Sequence, residues 1–222
     1  MNRKCVKQIL SLILIGISFF GISQPQNYTL LTGTAKTNIE TKIKTASQNI
    51  LSMQCKFTQK KTSTLFQEEA VSKGLLFYKS PNSLRWQYTE PNPLTLIFHK
   101  DNAYIQDEKG TIVNSNKMLK QLGDFIISNI NGNGLTDNGN FKIDYYANEK
   151  DKDKNKNIVW IKLTPVVRRL KEMYVSIQIK MSTVDYLAIE IIMEEISGDK
   201  TTITFSDKKI NVNIPDSQFS TH

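Results

Sequence analysis

Two short apolar runs, residues 75–78 and 84–88, flank Ser80-Pro81-Asn82-Ser83. Proline presets a turn and asparagine and serine favour one, so this stretch predicts a β-hairpin. In its second arm Leu84, Trp86 and Tyr88 share one face, while Arg85, Gln87 and Thr89 share the other. Pro91 and Pro93 stop the strand, because proline cannot donate to a ladder. Residues 55–61 also alternate, with Cys55, Phe57 and Gln59 on one side, and 62–70 is polar and predicts a loop. Downstream, 94–99, 103–106 and 111–114 follow at close spacing, as in an antiparallel meander. Residues 141–147 and 158–163 predict a second hairpin about a charged tip at 150–157. The cleanest period-two run sets Met173, Val175, Ile177, Ile179 and Met181 against Tyr174, Ser176, Gln178 and Lys180. Leu187, Ile189, Ile191 and Met193 repeat the pattern, and Ile203, Phe205, Ile210, Val212 and Ile214 finish it.

Two stretches change to helical period. Thr37-Asn38-Ile39-Glu40 has the form of a capping box, and Ile39, Ile43, Ala46, Ile50 and Leu51 then make one stripe, predicting a helix to about Ser52. A second helix is expected over residues 117–131, with Met118, Leu119, Leu122, Phe125, Ile126 and Ile130 on a face that Ile127 widens. Asn131-Gly132 closes it. A helix inserted between two meanders must lie across the sheet. The predicted class is α+β, mainly antiparallel: about eleven strands curled into an unclosed barrel beneath helices.

The N-terminus changes the address. A basic head (Arg3, Lys4, Lys7) precedes an apolar run from Ile9 to Ile22, and Gly21 and Ser23 stand before Gln24. This is the form of a secretory signal peptide, residues 1–23, leaving 24–222 as one domain. The run is shorter than the roughly 20 residues a spanning helix needs. Cys5 lies in the head and no cysteine stands just after the run, so the mature chain is expected in the periplasm without a lipid anchor. Cys55 would then be its one cysteine, and Met53 and Phe57 beside it suggest a buried, inert thiol.

Charge and side-chain inventory narrow the function. The net charge of +8 includes the three basic residues of the head, and without them the excess is +5. The basic residues are scattered, which does not suit nucleic acid. Arg168-Arg169 and Lys171 form a small patch that could face a membrane, a protein or solvent alone. Only His99 and His222 are available, too few for a histidine metal site or catalytic pair, and no metal or cofactor is expected. Asp185, Glu190, Glu194 and Glu195 are spread over strand faces, and neither G-x-S-x-G nor a phosphate loop occurs. The chain does not read as an enzyme.

Phe57-Thr58-Gln59, Gly74, Pro81, Leu84-Arg85-Trp86 and Pro91, in that order, resemble the outer-membrane lipoprotein carrier family, the periplasmic LolA-type chaperones of Gram-negative bacteria. The resemblance is strongest over about 50–130 and continues more loosely through Leu163-Thr164-Pro165 and 201–205. It implies an unclosed barrel with a helical lid, and a monomeric carrier of acylated lipoproteins. It also implies an inner-membrane ABC-type release complex as donor and an outer-membrane acceptor. Phe57, Phe77, Leu84 and Trp86 would line the cavity, with Met118, Leu119, Leu122, Phe125 and Ile126 above them. The family's arginine before the hairpin proline, which helps latch the lid, is Ser80 here, so either Arg85 or Lys79 would take that role or the lid would close by apolar contact alone. An inward face drawn from many strands is ordinarily plain core; two helices competing for one concave sheet would instead leave space for acyl chains. A carrier or sensor of free lipid or another hydrophobic ligand on the same fold is the alternative.

Overall fold

The alternating segments pair antiparallel into one sheet. The computed structural model describes residues 28–64, 69–100, 102–110, 112–114, 117–130, 133–135, 139–147 and 157–220, without the side chains of 112–114, 117–119, 121, 122 and 133. The expected leader and residues 150–156 of the charged tip lie outside them. In chain order the elements are β1 (Thr29–Leu30), α1 (Gly33–Gln48), β2 (Ser52–Thr62), β3 (Glu69–Lys79), β4 (Ser83–Glu90), β5 (Leu94–His99), β6 (Asn102–Asp107) and β7 (Ile112–Asn114). Then come α2 (Lys117–Ile130), β8 (Phe141–Ala147), β9 (Ile158–Pro165), α3 (Arg168–Lys171), β10 (Tyr174–Ser182), β11 (Ala188–Glu195) and β12 (Lys200–Ile210), with 3-10 turns at Asn133–Leu135 and Asp216–Phe219. The twelve strands lie in the order β1-β8-β9-β10-β11-β12-β2-β3-β4-β5-β6-β7. Its two edges, β1 and β7, do not pair, so the curved sheet stays open under a helical cover. Eleven strands have three residues or more; β1, with two, is too short for alternation to reveal.

The central hairpin is longer than its apolar runs. β2 reaches Thr62 and β3 begins at Glu69, because polar residues continue the ladder past the point where burial ends. Phe57 stands opposite Gly74, which stands opposite Tyr88. A Cβ at Gly74 would lie 2.5 Å from Phe57 Cζ and 2.0 Å from the Gln87 carbonyl oxygen. Glycine at this position lets the Phe57 ring lie across β3.

Helix α1 begins at Gly33, four residues ahead of the capping-box pattern, and its N-cap Thr32 makes no side-chain capping bond. Pairing with β8 decides this: Leu31 N donates to Tyr145 O at 2.8 Å, holding the chain extended until just before the helix. Thr37 therefore sits inside the helix, donating its hydroxyl to Gly33 O at 3.3 Å. The helix stops at Gln48, and Ser52, whose hydroxyl donates to Val212 O at 2.5 Å, already belongs to β2.

Two apolar cores form on the one sheet. The first gathers Met53, Phe57, Leu76, Leu84 and Trp86 from β2–β4 with Phe98 and Ile127. The second gathers Ile43 of α1 with Phe141, Tyr145, Ile161, Leu163 and Ile177 of β8–β10. Helix α2 seats on the first core through Gly123, where a Cβ would meet Phe98 Cδ1 at 2.1 Å. A mid-helix glycine costs about 1 kcal/mol relative to alanine, and here it admits the Phe98 ring.

Candidate functional site

Between the two cores the sheet is covered but not filled. No residue of β11 is fully buried, although Ile191 and Met193 point inward. Above them lies a cavity of about 360 Å³, within the roughly 300–1,000 Å³ usual for ligand pockets. The first core contributes Met53, Cys55, Leu76 and Trp86, and the second Ile177 and Ile179. Ile203 and Phe205 of β12 join the floor, and Phe125, Ile126, Asn129 and Ile130 of α2 form the roof. The lining is aliphatic and aromatic over most of its extent, and turns polar at Gln59, Lys61, Tyr88, Tyr174 and Glu195. Lys61 and Glu195 pair there at 3.3 Å.

The walls hold two buried polar atoms with no hydrogen-bond partner among the described residues, Trp86 Nε1 and Asn129 Oδ1. Tyr88 donates to Gln59 Oε1 at 3.0 Å, and its hydroxyl pKa, raised chiefly by burial, is pulled back by the nearby Trp86 N–H and by Gln59. The Trp86 N–H nonetheless falls short of hydrogen-bond geometry. Each unpartnered group costs about 1–3 kcal/mol, so the wall and the roof are each less stable than an all-apolar closure would be. Cys55 has the inert character expected of it: burial pushes its thiol up to about 12, against the pull of Lys208. Among the described residues no group of three or more His, Cys, Asp or Glu is placed to hold a metal ion.

The sequence model of the outer membrane lipoprotein carrier protein LolA matches residues 48–222. The chain belongs to the LolA family. Its fold is therefore that of lipoprotein- and lipid-binding carriers. No curated protein matches the chain. Among solved structures, an uncharacterized conserved protein from Thermus thermophilus superposes with a TM-score of 0.50 at 8% identity, covering 83% of this chain and 91% of its own. MucB, also solved with MucA from Pseudomonas aeruginosa, gives 0.50 at 10% identity, with 85% of this chain spanning 63% of that one. A LolA superfamily protein from Nitrosomonas europaea gives 0.46 at 14% identity, covering 83% and 96%.

In this LolA-family chain, Trp86, Phe125 and Ile126 line the cavity. Phe57 and Leu84 lie behind the wall, with the Phe57 and Trp86 ring centroids 4.6 Å apart. Phe77 does not join them. It alternates with the buried Leu76 and Tyr78 and falls on the outer face opposite Arg85, as strand period two requires. The side chains of Met118, Leu119 and Leu122 lie outside the description. The two expected latch residues do not hold the lid. Lys79 Nζ donates to Ile214 O at 3.1 Å and pairs with Asp216 at 2.6 Å, and Arg85 Nη1 donates to Gln218 O at 3.2 Å. Both face outward and clasp the C-terminal segment, whose Phe219 ring stacks on His99.

A different residue ties the lid down. Tyr145, fully buried on β8, donates its hydroxyl to the carbonyl of Leu135 in the turn just after α2. The alternation over 141–147 says nothing of a partner for Tyr145 beyond Asn131-Gly132. Also unforeseen is a slip in register between Tyr174 and Ser176. The slip turns Tyr174 into the cavity wall and puts Met173 and Val175 outside, against the alternation that would bury them.

Proposed function

We propose that the protein is a periplasmic carrier that takes the acyl chains of lipoproteins into this cavity and ferries them from the inner to the outer membrane. The observation that carries the reading is the void between the two cores, roofed by α2 over the half-buried β11. Burying a methylene stabilises by about 0.8 kcal/mol, so one ordinary acyl chain contributes around 10 kcal/mol. A rigid open pocket would then hold cargo too tightly to release it. A lid that re-covers the cavity when it is empty offsets most of that energy, and α2 supplies one through Phe125, Ile126 and Ile127, with Met118, Leu119 and Leu122 proposed to extend it. The donor is an inner-membrane ABC-type release complex and the recipient an outer-membrane acceptor, reached after cleavage of a leader at residues 1–23.

Mass spectrometry of what co-purifies from the periplasm tests this reading. Triacylated lipoprotein is the expected cargo. Loose lipid or another hydrophobic ligand alone would favour the alternative carrier or sensor on the same fold, and recovery without any hydrophobic molecule would sink both. Trp86 emission gives a second check in a Trp160→Phe background, since Trp160, the other tryptophan, packs on Tyr28 outside the cavity. A spectrum indifferent to a fatty acyl ligand would rule out loading beside Trp86.

A further inference from the structure

Strand β12 carries one residue more than β2 allows it. Ser206 stands opposite Lys56 and Lys209 opposite Gln54, so Asp207 and Lys208 share the place opposite Cys55. Two residues against one make a β-bulge, a device that re-aims side chains. Asp207 takes a left-handed backbone, φ 51°, which aspartate tolerates better than most residues. Its carboxylate turns outward to Lys56 Nζ at 2.7 Å. Lys208 turns the other way and lines the cavity beside Cys55. Its charge reaches the Cys55 thiol. Strict alternation from the inward Phe205 would have put Asp207 in the wall and Lys208 outside. The bulge exchanges an inward carboxylate for an inward ammonium.

The cavity runs along β2, β11 and β12, and its two ends differ in charge. At one end Lys61 is neutralised by Glu195 at 3.3 Å. At the other, Lys208 Nζ donates to the Ala188 carbonyl at 3.2 Å and makes no ion pair among the described residues. An ammonium has three donors, and one neutral acceptor leaves two of them unused. The acids nearby do not cancel it. Asp207 is committed to Lys56. Asp185, exposed in the turn before β11, accepts from Leu187 N at 3.1 Å. Glu190 lies opposite Lys180 and Thr204, out of step with the inward Ile191. Asp185 and Asp207 thus stand against Lys56, Lys208 and the exposed Lys209, so this end keeps a positive charge. The wall beside Lys208 is otherwise apolar, with Ile50, Met53 and Leu187.

We propose that Lys208 binds the anionic end group, carboxylate or phosphate, of an amphiphile whose hydrocarbon lies in the cavity beneath α2. The ammonium keeps its bond to Ala188 O and gives its unused donors to the anion. Tyr186, which lines the same end, flanks it. A charge-assisted bond against an apolar wall is stronger than one to an alcohol or ester oxygen, so the site selects anions over neutral heads. The hydrocarbon then points toward the Lys61–Glu195 pair. The inference rests on reading the cavity as an acyl-chain site, not on lipoprotein as its cargo, and it adds a class of ligand.

The test is calorimetric titration of the secreted protein, freed of co-purified ligand, with laurate, dodecyl phosphate and dodecanol. At about pH 8 both acids are ionised, and the three probes share one chain length. Both anions are expected to bind about tenfold or more tightly than the alcohol. Lys208→Met, which keeps the apolar stem, should bring them down to the affinity of dodecanol without changing dodecanol itself. Lys208→Arg should retain the preference, and Lys209→Met, at the exposed neighbour, should leave it intact. A preference for one anion alone supports the proposal and assigns the end group. Equal affinity for all three probes, or a preference that survives Lys208→Met, would overturn it while leaving the acyl-chain site standing. A loss of dodecanol affinity by the same factor in Lys208→Met would make the residue structural and overturn it too. Failure of all three probes to bind would sink the acyl-chain site itself, and the inference with it.

Discussion

Lys79 Nζ lies 2.6 Å from Asp216 Oδ1, joining the end of the central hairpin to the C-terminal segment. A side-chain hydrogen bond from Lys79, and then its charge, holds the Asp216 carboxyl below the usual carboxylate range. A lowered folded-state pKa contributes stability that is complete above the unfolded value, about pH 4, and is lost as pH falls through the folded one. Lys79→Ala should barely move global stability, since Asp216 is largely exposed and surface pairs contribute little. It should make residues 214–220 exchange amide hydrogens faster, and acid should do the same to the unaltered protein. Unchanged exchange in the variant would mean that Ile214 and Phe219, both buried, hold the segment unaided.

Gly123→Ala tests how the lid seats. The added methyl would lie 2.1 Å from the Phe98 ring, which is itself buried. Overpacking of this kind costs about 1–3 kcal/mol, more than the roughly 1 kcal/mol gained in helix propensity. The closed lid should be destabilised. A polarity-sensitive apolar dye should bind the empty protein more strongly, and acyl-ligand affinity should rise because less self-packing must be displaced. Equal dye binding and equal affinity would show that closure does not depend on this contact.

Tyr145→Phe tests the lid's anchor. Removing the hydroxyl leaves the buried Leu135 carbonyl without its donor, a loss of about 1–3 kcal/mol. Burial first, and the charge of Glu40 second, raise the Tyr145 pKa, so the donor stays protonated throughout the physiological range. Chemical denaturation should show the loss, with faster amide exchange in α2 and its following turn. A loss confined to α1 would instead point to Lys36, which sits 5.9 Å from the Tyr145 ring centroid.

Cys55 should resist iodoacetamide in the native protein and react after unfolding, because its thiol pKa stands near 12. An acid whose folded pKa is raised stabilises fully below its unfolded value, about 8.5–9, and that contribution is lost as pH rises toward the folded one. The denaturation midpoint should therefore fall above about pH 9, and the first part of that fall should disappear in Cys55→Ala. Tyr78 and Tyr88, also raised mainly by burial, act in the same direction from about pH 10. Ready alkylation of the folded protein would contradict the burial.

Much of this fold was legible because its signals are short-range. Leu84, Trp86 and Tyr88 announce one face of a strand within five residues, and α2 matches its expected span to a residue at its end. The misread positions all depend on something distant in the chain. The start of α1 follows from β1 pairing with β8, and the partners of Lys79 and Arg85 lie more than a hundred residues away. The places of Met173 and Val175 follow from a register slip against β11. Period two predicts a face only while the ladder stays in step.

By itself the sequence determined most of the strands, the two longer helices, their apolar faces and the family motifs, since backbone periodicity and turn chemistry act over a few residues. Tertiary structure alone decided that the apolar faces split into two cores with a gap over β11, that Tyr145 rather than Arg85 or Lys79 ties down the lid, and that a bulge in β12 turns Lys208 into the cavity wall. The physical reason is the same in each case. Where a hydrophobic face finds its partner depends on sheet curvature and register, which are set by contacts between residues far apart in the chain and leave no mark on local pattern.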